Sequence, residues 1–178
     1  VVTGSNNIGL GFNALDNNAS GNDNIAIGSR TLEYNTASNN IAIGKDALNF
    51  NTTAAFTTGI GYRALSLNTT GVQNTALGAF SLTQNVTGGH NTAVGYQCLQ
   101  NNTRWYNTAI GSEALQANTI GDLNSAFGSK ALVNNSTGER NTAAGAFALY
   151  SNTTGSSNTA QGFQSLGGNG SYNTAMGD

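Results

Sequence analysis

The stretch from Gly71 to Thr103, GVQNTALGAFSLTQNVTGGHNTAVGYQCLQNNT, writes one phrase twice: NTALGAFSL at 74–82 returns as NTAVGYQCL at 91–99. Asn, Thr, a tiny residue, an aliphatic, Gly and Leu come in that order and then start again. Self-similarity at a short fixed period marks a stack of identical supersecondary units, so the period decides the fold.

Anchored on the glycine, the phrase recurs at Gly11, Gly28, Gly44, Gly61, Gly78, Gly95, Gly111, Gly128, Gly145, Gly162 and Gly177. The steps are 17, 16, 17, 17, 17, 16, 17, 17, 17 and 15 residues. Four residues after each of the first ten anchors stands Leu: Leu15, Leu32, Leu48, Leu65, Leu82, Leu99, Leu115, Leu132, Leu149 and Leu166. Seven after the same glycines stands Asn: Asn18, Asn35, Asn51, Asn68, Asn85, Asn102, Asn118, Asn135, Asn152 and Asn169. Before the anchor lies an aliphatic residue, as at Ile27, Ile43, Ile60, Leu77, Val94 and Ile110, with Gln161 the clear exception. One position earlier the residue is Ala or Gly.

A large apolar residue at a fixed place in every unit means a stacked core. The leucines and the aliphatic column are therefore both assigned to it. The fixed tiny residue marks a close approach, and fixed Gly and Asn mark bends, because they tolerate left-handed backbone best. The positions after the anchor vary freely, from Lys45 to Tyr62 to Ala79 to Ser112, as solvent-facing positions do. The short apolar stretches carry no helical stripe. The expectation is an all-β parallel β-solenoid, or β-roll, with one 16–17-residue coil per repeat, two short strands and two turns in each. Coils stacked as parallel strands lie about 4.8 Å apart, so ten make a rod of roughly 48 Å. No linker divides residues 1–178, which read as one repeat domain and as a segment of a longer fibre.

Composition bounds the function. Asn (28), Gly (24) and Thr (22) dominate, Pro is missing, and charged residues make up 8%. A net charge of −2 argues against a nucleic-acid partner. No apolar run approaches membrane-spanning length, which argues against membrane insertion. One cysteine excludes an internal disulfide framework. Each coil carries so few apolar atoms that burial against sister chains is a natural complement.

The unit N-[ST]-A-[ILV]-G-x-x-[AS]-L, as in NNIAIGKDAL at 39–48, resembles the head repeats of trimeric autotransporter adhesins. With its added A-L-x-x-N-T-T-G segment it also resembles repeats of phage tail-fibre and tailspike-like proteins. The resemblance implies a left-handed parallel β-roll in each chain and a homotrimer around a common axis. It also implies that the aliphatic before Gly (Ile27, Ile43, Ile60, Leu77, Val94 and Ile110) points inward. The longer period and Phe127, Ala144 and Gln161 in the aliphatic column depart from that pattern.

Catalytic and metal signals are sparse, and no cofactor is expected. His90, the sole histidine, sits in the turn segment TGGH with no acid or cysteine pattern beside it. Cys98 fills a column otherwise held by Ala, Ser or Thr and reads as a small buried side chain. No column repeats Asp, which excludes a calcium-binding repeat array. Glu113 and Asp122 are the one acid pair worth weighing, on a rod too thin for a cleft. Ice binding through a Thr ladder is an alternative that Ile8, Ile25 and Ile41, at the head of that column, oppose. N-x-[ST] sequons make Asn18, Asn51, Asn68, Asn85, Asn101, Asn134, Asn135, Asn152 and Asn169 candidate glycosylation positions. Tyr62, Tyr96, Trp105 and Tyr106 are candidate ligand-facing aromatics.

The expected function is a non-enzymatic structural segment of an extracellular, cell-surface or virion attachment fibre. It would hold a binding tip away from a surface and bind a cell-surface glycan or protein along its side. The alternative is a subunit that polymerises end to end, since open strand edges template further chains.

Overall fold

The computed structural model describes residues 4–177. Eleven three-residue strands follow one another: β1 (Ile8–Leu10), β2 (Ile25–Ile27), β3 (Ile41–Ile43), β4 (Thr58–Ile60), β5 (Thr75–Leu77), β6 (Thr92–Val94), β7 (Thr108–Ile110), β8 (Ser125–Phe127), β9 (Thr142–Ala144), β10 (Thr159–Gln161) and β11 (Thr174–Met176). They form one parallel sheet in chain order. Each strand pairs with the next at the equivalent position, as in Thr75↔Thr92, Ala76↔Ala93 and Leu77↔Val94. No helix occurs among the described residues. The chain is a parallel β-solenoid with one coil per repeat.

Each coil has one strand, not two. The expected second strand around A-L is a pair of tight turns. In the third complete coil Ala47 N–H donates to the Gly44 carbonyl at 3.1 Å, and Asn51 N–H to the Leu48 carbonyl at 3.1 Å. Leucine itself takes left-handed backbone in all ten coils, with φ between 48° and 58°. So does the second residue after each anchor, as at Arg30, Arg63 and Glu113. Two left-handed residues in five cannot continue a strand. Non-glycine residues seldom adopt this conformation, so neighbouring structure must hold it. In the eight inner coils the leucine side chain is fully buried, and its N–H donates to the next coil (Leu82 to the Cys98 carbonyl, 3.0 Å).

The core is a thin column. Leu32, Leu48, Leu65, Leu82, Leu99, Leu115, Leu132 and Leu149 have no exposed surface, while Leu15 and Leu166 in the terminal coils are partly buried against the same cluster. Facing them are the mid-strand residues, Ala26, Ala42, Ala76, Ala93, Ala109, Ala126 and Ala143, all fully buried. Where Gly59 takes that place, an added Cβ would come within 3.2 Å of the Leu48 side chain, which is why the column stays small.

The aliphatic column before the anchor needs correction. A three-residue strand alternates, and with Ala pointing inward its two neighbours point outward. Leu77 is 45% exposed and Ile110 42%, while Ile27, Ile43, Ile60 and Val94 are half-buried. None belongs to the buried cluster.

The anchor glycine is required twice over. Gly61 has φ 133°, and a Cβ there would lie 2.6 Å from the Gly78 backbone.

The Asn column also works differently from a left-handed bend, since none of its members has positive φ. Asn35, Asn51, Asn68, Asn85, Asn102, Asn118, Asn135 and Asn152 are fully buried and Asn18 nearly so, while Asn169 is exposed. Their amides stack along the rod. Asn68 Nδ2 donates to Asn51 Oδ1 at 3.1 Å and to the Gly71 carbonyl at 3.0 Å, and Asn85 Nδ2 donates to Asn68 Oδ1 at 2.9 Å.

A second stack runs beside the first. The Asn that opens the repeated phrase (Asn24, Asn40, Asn74, Asn91, Asn107, Asn124, Asn141, Asn158) is also fully buried. Asn107 N–H donates to Asn91 Oδ1 at 2.9 Å, and Asn124 N–H to Asn107 Oδ1 at 2.9 Å. All variation in period lies between the two stacks. The step from the first Asn to the second is six residues in 17-residue coils, as from Asn68 to Asn74. It is five from Asn35 to Asn40 and from Asn102 to Asn107, and four from Asn169 to Asn173.

Truncating Leu82 to Ala leaves a cavity the thin core cannot close and should cost about 2–5 kcal/mol in denaturant unfolding. Leu77→Ala, on the outward face of the same coil, should cost under about 1 kcal/mol in the isolated chain. Equal costs would contradict this assignment of the two columns.

Candidate functional site

The coil presents three outer surfaces: the sheet face, the flank of paired turns after the anchor glycine, and the corner between the two Asn stacks.

On the sheet face the outward columns run parallel. One is Ile8, Ile25, Ile41, Thr58, Thr75, Thr92, Thr108, Ser125, Thr142, Thr159 and Thr174. The other is apolar for eight consecutive coils: Leu10, Ile27, Ile43, Ile60, Leu77, Val94, Ile110 and Phe127. At the parallel-strand spacing that stripe is roughly 35 Å long. Its members are exposed or half-exposed.

The turn flank holds most of the aromatic residues. Tyr62, Phe80 and Tyr96 form an edge-to-face chain with centroids 5.2 and 6.1 Å apart. Tyr34 and Phe50 stack at 5.5 Å. Five residues after the anchor, Glu33, Asn49, Ser66 and Thr83 are buried, which the varied composition of this column did not suggest. Asn49 Nδ2 donates to Glu33 Oε2 at 2.9 Å and to the Arg30 carbonyl at 2.7 Å. Two open pockets line up here. One of about 330 Å³ is bounded by Arg30, Lys45, Asp46, Asn49, Phe50, Tyr62, Arg63 and Ser66. The other, of about 350 Å³, lies among Phe147, Tyr150, Ser151, Gln164 and Gly167.

The Asn corner carries the second aromatic group. His90 stacks on Tyr106 at 4.9 Å and 13°, and Trp105 lies 5.8 Å from His90. Trp105 fits because residue 89 is Gly, where a Cβ would lie 2.5 Å from the indole ring. The four candidate ligand-facing aromatics thus divide between two surfaces: Tyr62 and Tyr96 on the turn flank, Trp105 and Tyr106 at the Asn corner. Tyr62, Tyr96 and Tyr106 are exposed and Trp105 is half-buried.

His90 is an exposed turn residue, and no metal-holding group of His, Cys, Asp or Glu occurs among the described residues. Glu113 and Asp122 are not brought together as a pair. Glu113 faces Lys130 at 3.6 Å on the turn flank, while the Asp122 carboxylate accepts the backbone N–H of Trp105 at 2.8 Å at the Asn corner. Cys98 is fully buried, with its thiol directed at the Ala109 carbonyl at 3.2 Å. Burial pushes the thiol up to about 12, against a smaller opposing effect of a backbone hydrogen bond at Val94.

The sequon expectation is corrected at most positions. Asn18, Asn51, Asn68, Asn85, Asn135 and Asn152 are buried, and each Nδ2 is a donor within the stack or to its own turn. A glycan on that nitrogen cannot coexist with the folded coil. Only Asn101, Asn134 and Asn169 are exposed among the nine.

Comparison of the chain with protein-family models, curated proteins and solved structures returns no match.

Two measurements check this account. Replacing Asn68 with Asp puts a carboxylate against two acceptors, Asn51 Oδ1 and the Gly71 carbonyl, so its folded pKa rises above the ordinary 3.9 or so. The variant should then be most stable at low pH. It should lose stability as pH rises from the unfolded carboxyl value through the folded one, and a flat pH profile would contradict the stack. A thiol reagent at pH 8 should leave Cys98 unmodified until denaturant unfolds the chain, because the thiolate is the reactive form.

Proposed function

We propose that the chain is a non-enzymatic structural segment of an extracellular or virion attachment fibre, in which three copies pack around a common axis with their sheet faces inward. The observation that carries this reading is the apolar stripe from Leu10 to Phe127. Contiguous exposed apolar patches larger than a few hundred Å² are rare on soluble monomers, and a continuous apolar stripe of this kind marks an association surface. A parallel sheet paired at equivalent positions extends one apolar contact line from coil to coil, so association strengthens with the length of the stripe. The fibre does mechanical work, since ladders running along the axis resist bending and proteolysis, and the turn flanks remain outside to meet a ligand.

The ice-binding reading is less well supported. Beside the Thr column, side chains range from Ala144 through Val94 to Phe127, which makes the face uneven at the scale of a water lattice.

Sedimentation of the purified chain should give a particle of three 18.1 kDa chains. The double variant Leu77→Lys, Ile110→Lys should sediment as single chains with its circular dichroism unchanged. A wild-type chain that stays monomeric at micromolar concentration would overturn the proposal.

A further inference from the structure

The turn flank gathers three of the chain's six basic side chains, Arg30, Lys45 and Arg63, around one pocket of about 330 Å³. This is conspicuous in a chain of net charge −2. The residues come from three successive coils, at positions one or two after the anchor, so stacking alone brings them together. Arg30 is held by its Nε, 2.8 Å from Asp46. That contact uses one of five guanidinium N–H groups. Lys45 and Arg63 are exposed and take part in none of the ion pairs among the described residues. Asp46 is the one acid lining the pocket, and Glu33 stands behind it on Asn49. The lining therefore has an excess of two positive charges.

Two further features point to a ligand. Ser66, which lines the pocket, is 2% exposed, and its Oγ has no hydrogen-bond partner. Buried hydroxyls are normally paired, and an unpaired one costs about 1–3 kcal/mol. Tyr62 and Phe50 add aromatic surface to the same pocket, with Tyr62 42% exposed. The volume lies at the lower end of small-ligand clefts, about 300–1,000 Å³.

We propose that this pocket binds a carboxylate-bearing pyranose, a uronic-acid-type unit of an acidic surface saccharide. The guanidinium of Arg63 and the ammonium of Lys45 take the carboxylate, and planar guanidinium matches carboxylate geometry in a two-pronged contact. A ring face of Tyr62 covers the C–H face of the sugar, and Ser66 Oγ pairs with a ring hydroxyl. The proposal rests on the attachment reading only in taking a surface saccharide as the source. It needs neither the trimer nor the sheet face.

The test compares methyl glucuronide with methyl glucoside, which differ in the carboxylate, by ligand-observed NMR on the full chain. The glucuronide should bind about tenfold or more tightly, the effect of one charge-assisted contact, and added salt should weaken it. Arg63→Gln and Lys45→Gln alter exposed side chains and should each lower that affinity about tenfold. Ser66→Ala should lower it with the melting temperature retained. Equal affinity for the two glycosides, retention of binding in Arg63→Gln, or equally effective displacement by sodium sulfate would each overturn the site. Sedimentation of the same sample separates the readings. A monomer that binds methyl glucuronide defeats the fibre alone, and a trimer that does not bind it defeats the pocket alone.

Discussion

A buried asparagine amide is costly unless both its oxygen and its nitrogen are paired. Stacking identical amides along one axis solves this through most of the rod, because the nitrogen of one coil meets the oxygen of the preceding coil, as from Asn68 to Asn51 and from Asn135 to Asn118. Such a stack also fixes register: a coil shifted by one residue would bury an unpaired amide. The thin Leu and Ala column has too few apolar atoms to impose that precision, since hydrophobic contact is non-directional. The two Asn stacks supply the direction. With them in place the turn leucines are held in left-handed backbone, the strands pair at equivalent positions, and outward side chains line up in columns.

The columns explain what the surface can do. Because equivalent residues lie directly above one another, a property repeated in sequence becomes a stripe in space. Repetition of an aliphatic before the anchor gives the sheet face its apolar line. Where repetition lapses, a local site can form. Basic residues after three consecutive anchors, Arg30, Lys45 and Arg63, make a cluster without any loop designed for it. On the proposed function the two roles fall on separate surfaces, with association on the sheet and recognition on the turns.

The period, the leucine column and the parallel stack were legible in the sequence because each depends only on identity at a fixed spacing. The facing of Ile27 and Leu77 was not. Burial in a three-residue strand follows from which neighbour points inward, and a run such as T-A-L carries one large apolar residue whichever way it turns. The resemblance to known heads suggested the wrong face for the isolated chain. The left-handed leucines were invisible because local preference argues against them. The second Asn stack could have been found, since Asn precedes the anchor by four residues in ten of eleven coils, with Thr57 the exception. Inside the anchor phrase it is one fixed letter among several, and nothing local distinguishes a ladder of its own. Six sequons were misleading for the same reason: the Asn that satisfies the motif is the Asn that the stack buries.

Two stacks make sense once their defects are located. In the first, Asn85 Oδ1 and Asn152 Oδ1 have no partner. Each lies directly before a coil whose Asn corner is shortened, to five residues after Asn102 and to four after Asn169. The third shortened corner, after Asn35, leaves only a long 3.3 Å bond back to Asn18. Full-length corners give bonds of 2.7–3.1 Å. Removing a residue between the stacks thus turns the first amide away from the coil before it. The second stack crosses those seams unbroken, with Asn107 N–H on Asn91 Oδ1 at 2.9 Å and Asn173 N–H on Asn158 Oδ1 at 3.0 Å. Its own interruption is at Thr57, which offers no amide to Asn74, and there the first stack is whole through Asn51 and Asn68. The defects never coincide. An unpaired amide oxygen costs about 1–3 kcal/mol, tolerable in a coil held by the other stack, whereas two lapses in one coil would remove both of its buried side-chain ladders at once and leave the backbone bonds of strand and turns, such as Leu82 N–H to the Cys98 carbonyl, to set its register. The rod can therefore vary the length of one corner, and the side chains displayed there, while remaining one continuous stack.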